Sequence, residues 1–200
     1  MPTLRPPITH LLYLHGFRSS PQSNKAQLVA RRVAARHPAV TWWCPQLPPS
    51  PREAMDMVMR GIAAWPRESM GVIGSSLGGF YATYVAAMTR CRGVLLNPAV
   101  YPARDLANHI GTQTAWHDPQ QRFYFKPEFI AELRTLEVGP IPRPEQLLAI
   151  IAKGDEVLDW REMSARYADT RVELLEGGDH ALSDFEARHL DPVMAFLEPV

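Results

Sequence analysis

Ser76 stands between two glycines in Gly74-Ser75-Ser76-Leu77-Gly78, where the apolar run Met70 to Ile73 gives way to Leu77, Phe80, Tyr81, Tyr84, Val85 and Met88 at helical spacing. G-x-S-x-G in that setting is the pattern of a serine lifted clear of a sheet edge on a tight strand-to-helix turn. The glycines have a steric reason, since a side chain at either position would crowd the turn or the backbone facing it. Ser75 has Ile73 and Leu77 at the same offsets, so Ser76 is the candidate nucleophile. The amide of Leu77, at the start of a helix whose dipole favours negative charge, suits an oxyanion. The pentapeptide alone equally fits a glycine-rich turn with an ordinary serine, so the reading depends on partners.

A serine nucleophile needs a general base, and the base needs an acid to orient it. Asp155 directly follows the apolar run Leu147 to Ala152, and His180 lies in the Gly177-Gly178-Asp179-His180 loop after Val172 to Leu175. Ser76, Asp155, His180 is the chain order of the α/β-hydrolase triad. Two competitors are weaker. Ser183-Asp184-Phe185-Glu186 reads as a capping box, which puts His189 inside a helix, and Asp159-Trp160-Arg161-Glu162 reads as a cap that occupies the Asp159 carboxylate. The second oxyanion donor in such a plan comes from the turn after the first core strand, here the Phe17 amide. His15 beside it has no second ligand at a metal-binding spacing, and the glycines around Ser76 match no nucleotide-binding loop.

The elements that must hold these residues alternate. Strands are expected at Thr9 to Leu14, Val40 to Cys44, Met70 to Ile73, Gly93 to Leu96, Leu147 to Ala152 and Val172 to Leu175. Helices are expected between them, one capped by Ser23, one starting at the Ser50-Pro51-Arg52-Glu53 capping box, and a last one from Ser183 broken at Asp191-Pro192. This predicts a doubly wound, mostly parallel sheet of about six strands, with helices on both faces and its site at the carboxyl ends of the strands. The neighbours Trp42 and Trp43 must then point to opposite faces. From Tyr101 to Pro144 the period breaks down, with short helical pieces at Arg104 to Ile110 and Pro127 to Leu136. We expect one domain over residues 1–200 with 101–144 as a lid-like insert, in which Trp116 and Phe123 line a substrate pocket.

With 200 residues and 46% apolar content the chain can bury a sizeable core. Its 21 basic and 21 acidic residues balance, so nothing favours nucleic acid or an anionic membrane as partner. Cys44 and Cys91 lie far apart without a CxxC pattern, which points to a reducing, cytoplasmic setting. Met1 to Pro7 lacks a signal pattern, and no apolar run is long enough to span a bilayer.

The sequence resembles the small bacterial YqiA-like esterases, nearly end to end. The likeness rests on Leu14-His15-Gly16-Phe17 with Ser19-Ser20-Pro21 and Lys25-Ala26, on Pro45 to Pro49, and on Gly74 to Gly79. It continues through Asn97 to Val100, Gly154 to Asp159 and Glu176 to Ala181. The resemblance implies an α/β-hydrolase fold trimmed of its first antiparallel strands, esterase or thioesterase activity on a small-molecule acyl ester or thioester, and no cofactor. It places Ser76, Asp155 and His180 at the nucleophile, acid and base positions. Asp179 departs from the family's usual asparagine, and 101–144 is only loosely similar. The alternative is a hydrolase-fold binding module without turnover.

Overall fold

The structure, a computed structural model, describes residues 6–198 and 200. Met1 to Arg5, part of the terminus that lacks a signal pattern, lie outside the described residues. Strand β1 (His10–Leu14) leads through helix α1 (Asn24–Arg36) to β2 (Thr41–Trp43), and α2 (Pro51–Gly61) leads to β3 (Met70–Ser75). Helix α3 (Leu77–Thr89) follows β3 directly and returns the chain to β4 (Arg92–Leu96). After a long excursion come β7 (Leu147–Ala152), α6 (Trp160–Arg166), β8 (Arg171–Leu175) and the short helices α7 (Phe185–Arg188) and α8 (Leu190–Leu197). The main sheet has six strands in the order β2-β1-β3-β4-β7-β8, every neighbouring pair parallel, as the alternation of strands and helices predicts.

Alternation along each strand divides the core. Leu12, Leu14, Val72 and Leu95 face a layer built with α2, α3 and α6, whereas Leu11, Tyr13, Ile73 and Leu96 face α1, α7 and α8. Trp42 packs with the second layer and Trp43 with the first, as neighbours on a strand must. Central β3, β4 and β7 are buried along their whole length, which is why they read as near-continuous apolar runs. Each fully buried leucine or isoleucine among them stabilises the fold by about 1.5–3 kcal/mol.

The excursion between β4 and β7 holds more than two helical pieces. Besides α4 (Pro102–Asp105), a 3₁₀ turn (Leu106–His109) and α5 (Glu128–Thr135), it carries an antiparallel hairpin of β5 (Gly111–Thr114) and β6 (Arg122–Phe125), which corrects the expectation of helical segments alone. Phe123 and Phe125 alternate with exposed Tyr124, a period of two on strands only four residues long. Two cap assignments change as well. Ser183 begins no helix, because its backbone N–H and hydroxyl both go to Asp179, and Ser23 makes no capping bond. The C-terminal helix breaks at His189, and Asp191-Pro192 lies in the first turn of α8, where a proline is tolerated. The other two caps form as expected: Ser50 Oγ accepts from Glu53 N–H at 3.2 Å and Asp159 Oδ1 from Arg161 N–H at 2.8 Å. Among the described residues no helix is long and apolar enough to cross a membrane.

Candidate active site

Parallel register brings the strand ends level: Leu14 pairs with Gly74, Ser75 with Leu96, Leu96 with Ile150, and Ala152 with Leu175. Whatever follows each strand therefore shares one edge, and the reversal of strand order at β1 opens a crevice there. Ser76 is the first residue beyond β3. Its backbone adopts φ 57°, ψ −122°, a conformation that a non-glycine residue holds only when its surroundings impose it. The surroundings are visible. Ser76 N–H donates to Leu96 O at 3.0 Å, and Ser76 O accepts from Ala99 N–H at 3.0 Å and from Gly79 N–H at 2.8 Å. A Cβ on Gly74 would stand 2.0 Å from Gly78 O, so only a bare Cα lets β3 and α3 meet at this angle.

His180 reaches this serine from the loop after β8. Its Nε2 lies 3.0 Å from Ser76 Oγ and its Nδ1 2.7 Å from Asp155 Oδ2. Asp155, just past β7, also accepts from the backbone N–H groups of Val157 and Leu158 through Oδ1, each at 2.8 Å. With a carboxylate accepting at Nδ1, the ring hydrogen sits there and Nε2 is left to accept from the serine hydroxyl. The Asp155 side chain is wholly buried, while that of His180 is 21% exposed, so solvent can reach the imidazole but not the carboxylate. His180 N–H is held in turn by Glu156 Oε2 at 3.0 Å.

The competitors bond or pack elsewhere. Asp159 caps α6, and His189 is buried between α7 and α8, 3.4 Å from Asp184 Oδ1 and 3.6 Å from Glu173 Oε1. Asp179, the charge beside the base, turns onto Ser183, accepting its N–H at 2.9 Å and its hydroxyl at 2.5 Å; these bonds hold its carboxyl below the usual range. His15 donates from Nδ1 to Gly16 O at 3.0 Å and accepts at Nε2 from Leu47 N–H at 3.1 Å. Burial lowers its pKa, so it stays a neutral tie between the Gly16-Phe17 turn and the loop after β2.

That turn abuts the serine: a Cβ on Gly16 would lie 3.2 Å from Ser76 Cβ. Two cavities flank it. One, of about 500 Å³, contains Ser76 and His180 together with Ser19, Ser23, Lys25 and Trp116. The other, of about 400 Å³, is mostly apolar, with Leu47, Met57, Leu77, Tyr81 and Phe123 in its wall. Trp116 and Phe123 thus part company: Trp116 is 71% exposed and stacks under the Arg18 guanidinium, 4.1 Å from its carbon, whereas Phe123 packs edge-on to Phe17 in the apolar cleft. Sequence reasoning singled out neither Met57 nor Lys25 for the site. Half-buried Lys25 donates to Ala181 O, and desolvation pushes its pKa down to about 8.

A six-stranded parallel sheet wrapped by helices, with a strained serine at the end of β3 and a histidine and a carboxylate converging on it from later strand ends, defines the α/β-hydrolase class of folds. More narrowly, residues 10–198 match the model of the uncharacterised protein family UPF0227, the family of the YqiA-like proteins, and the chain belongs to it. Three solved structures of the same fold lie far away in sequence. One of two metagenome-derived lipolytic enzymes, LipS and LipT, is 19% identical over 96% of this chain and 94% of its own, with a TM-score of 0.69. Mouse alpha/beta hydrolase domain-containing protein 10 is 16% identical over 92% and 86%, TM-score 0.69. Est1E from Butyrivibrio proteoclasticus, solved with ferulic acid bound, is 14% identical over 99% and 90%, TM-score 0.65. At such identities the likeness speaks for the fold.

Proposed function

We propose that this protein is a cytoplasmic serine hydrolase that cleaves carboxylic esters or acyl thioesters through an acyl-enzyme. The reading rests on one observation, the continuous hydrogen-bonded chain Ser76 Oγ to His180 Nε2 and His180 Nδ1 to Asp155 Oδ2. Ser76 Oγ attacks the substrate carbonyl carbon as His180 Nε2 takes its proton, and Asp155 stabilises the imidazolium that results. The oxygen of the tetrahedral intermediate gathers negative charge and is held by the Phe17 and Leu77 amides. The bond to the leaving group breaks, and His180 returns the proton to the departing alkoxide or thiolate. Water then repeats the sequence: His180 removes its proton, the hydroxide attacks the acyl carbon, and Ser76 Oγ leaves with that proton.

The two cavities divide the substrate between them. The apolar cleft beside Leu77 takes the acyl chain, and the polar cavity with Ser19, Ser23 and Lys25 takes the alcohol or thiol. The 101–144 segment contributes Phe123 to the first and Trp116 to the second, and so sets the size of what is bound. Two free cysteines, with thiol pKa values pushed by burial to about 12 at Cys44 and about 11 at Cys91, suit a reducing compartment. A fluorophosphonate probe tests the reaction, alongside esters and acyl-CoA thioesters of graded length. The expected result is a covalent adduct on Ser76, absent in Ser76→Ala and retained in Ser75→Ala. A wild-type chain that forms no adduct and turns over no ester or thioester would be a binding module instead.

A further inference from the structure

Asn97, immediately beyond β4, is fully buried and holds φ at 41°, within the left-handed region that asparagine tolerates better than most residues. Its amide sits between the carriers of the base and of the acid. Nδ2 donates to Asp179 O at 3.0 Å and to His180 O at 3.2 Å, and Oδ1 accepts from Ala152 N–H at 2.8 Å, three residues before Asp155. Its own N–H donates to Ile150 O at 2.9 Å, tying it again to β7. Leu96, just before it, and Ala99, two residues on, hold the nucleophile, through Leu96 O to Ser76 N–H and Ala99 N–H to Ser76 O. One tetrapeptide at the end of the central strand is therefore bonded to all three segments that bear Ser76, Asp155 and His180.

Two carbonyls and one N–H face the Asn97 side chain, and only a primary amide answers all three with one planar group. Ionised aspartate would bring no donor at all, and leucine would leave His180 O and the Ala152 N–H without these partners and Asp179 O with the Leu182 N–H alone. Lys25 donates to the next carbonyl, that of Ala181, so successive carbonyls of the histidine loop from 179 to 181 each receive a side-chain donor. Such a loop has little freedom to carry its imidazole away from the serine.

We infer that Asn97 is a positioning residue, which sets the His180 ring against Ser76 and Asp155 at once. This rests on the serine-hydrolase reading for its consequence in turnover, but its geometric content can be tested without turnover. The experiment compares wild type with Asn97→Asp, which keeps the shape and the acceptor, and Asn97→Gly, which keeps the left-handed backbone but deletes the side chain. Two readouts are taken: kcat and KM on a short-chain p-nitrophenyl ester, and the low-field proton resonance of His180 Nδ1–H in its bond to Asp155. Both variants should lower kcat by about 10²-fold, the cost of a catalytic group displaced by about 1 Å, while KM stays within about twofold of wild type. The low-field proton should broaden or move upfield in both.

Either variant with wild-type kcat and an unmoved resonance overturns the assignment, as does a fall in kcat with the resonance unmoved. Failure of both variants to fold would make Asn97 a determinant of stability and overturn it too. If wild type neither reacts with a fluorophosphonate nor turns over the ester, the hydrolase reading falls alone, and the resonance still decides for or against Asn97.

Discussion

A carbon placed on Gly78 would stand 1.9 Å from the carbonyl oxygen of Leu14, so the end of β1 and the first turn of α3 touch backbone to backbone. This contact draws the Gly16-Phe17 turn against Ser76. Gly78→Ala must push the two apart. Overpacking of this kind costs about 1–3 kcal/mol, and in a chain of this size each kcal/mol lowers the melting temperature by about 2–4 °C. We expect a melting point several degrees lower and a loss of kcat/KM of at least about tenfold, since the Phe17 and Leu77 amides, the proposed oxyanion donors, move relative to Ser76. Normal kcat/KM in a destabilised variant would show that the contact serves folding alone.

Asp155 and Asp159 follow the same strand but have different partners, and their variants should separate. In serine proteases, loss of the orienting carboxylate lowers turnover by about 10⁴, and here the two carboxylates nearest the His180 loop are engaged, Asp179 by Ser183 and Glu156 by the His180 N–H. Asp155→Asn should therefore cost about 10³-fold or more in kcat. Asp159→Asn should keep kcat and lose at most about 1 kcal/mol of capping. Turnover and thermal unfolding of both variants would check this, and the reverse pattern would move the acid to Asp159.

Chain-length preference should follow the apolar cleft. Met57→Ala and Phe123→Ala enlarge its wall and are expected to shift the optimum towards longer acyl chains, with rates on acetyl esters changed less than about threefold. Trp116→Ala, in the other cavity, should instead alter discrimination among leaving groups. An acyl series of esters and thioesters, with one alcohol varied in parallel, reads both effects. A uniform loss over all chain lengths would assign Phe123 to the core of the hairpin.

The Asp179–Ser183 pair makes stability depend on acid. A carboxyl whose folded pKa is depressed contributes stability that is complete above its unfolded value, ordinarily near 3.8, and disappears as pH falls through the lower folded value. Asp179 is only partly buried, so the effect is small. Asp179→Ala should melt about 1–2 °C below wild type at neutral pH, and the two should converge as pH falls through the depressed folded value. A gap that persists unchanged through acid titration would show that the turn needs the side chain but not its charge.

What could be read from the sequence was what neighbouring residues decide. The buried strands were legible because both faces of β3, β4 and β7 are covered, which leaves uninterrupted apolar runs. Ser76 was legible because the clash that forbids a side chain at Gly74 lies four residues away, at Gly78. Asn97 was not, since its partners stand 55, 82 and 83 positions along the chain and an asparagine before a proline reads locally as the end of a strand. The hairpin escaped for a different reason. Its strands are four residues each and half of β6 faces solvent, too short a stretch for a period to show. Met57 is one methionine among three on α2, and nothing in a helical repeat marks the one that borders a cleft.

The β5–β6 hairpin is fastened at Arg18, whose carbonyl accepts from Trp116 N–H at 2.8 Å and whose Nε donates to Thr114 O at 2.6 Å. The hydrogen-bonded chain of Ser76, His180 and Asp155 is fastened on the other side of β3, through Leu96, Asn97 and Ala99. Two sets of attachments that share no residue can vary independently. Descendants of this chain could exchange hairpin residues other than Phe123 and Phe125, which pack on Phe17, without touching the bonds that hold Ser76 and His180.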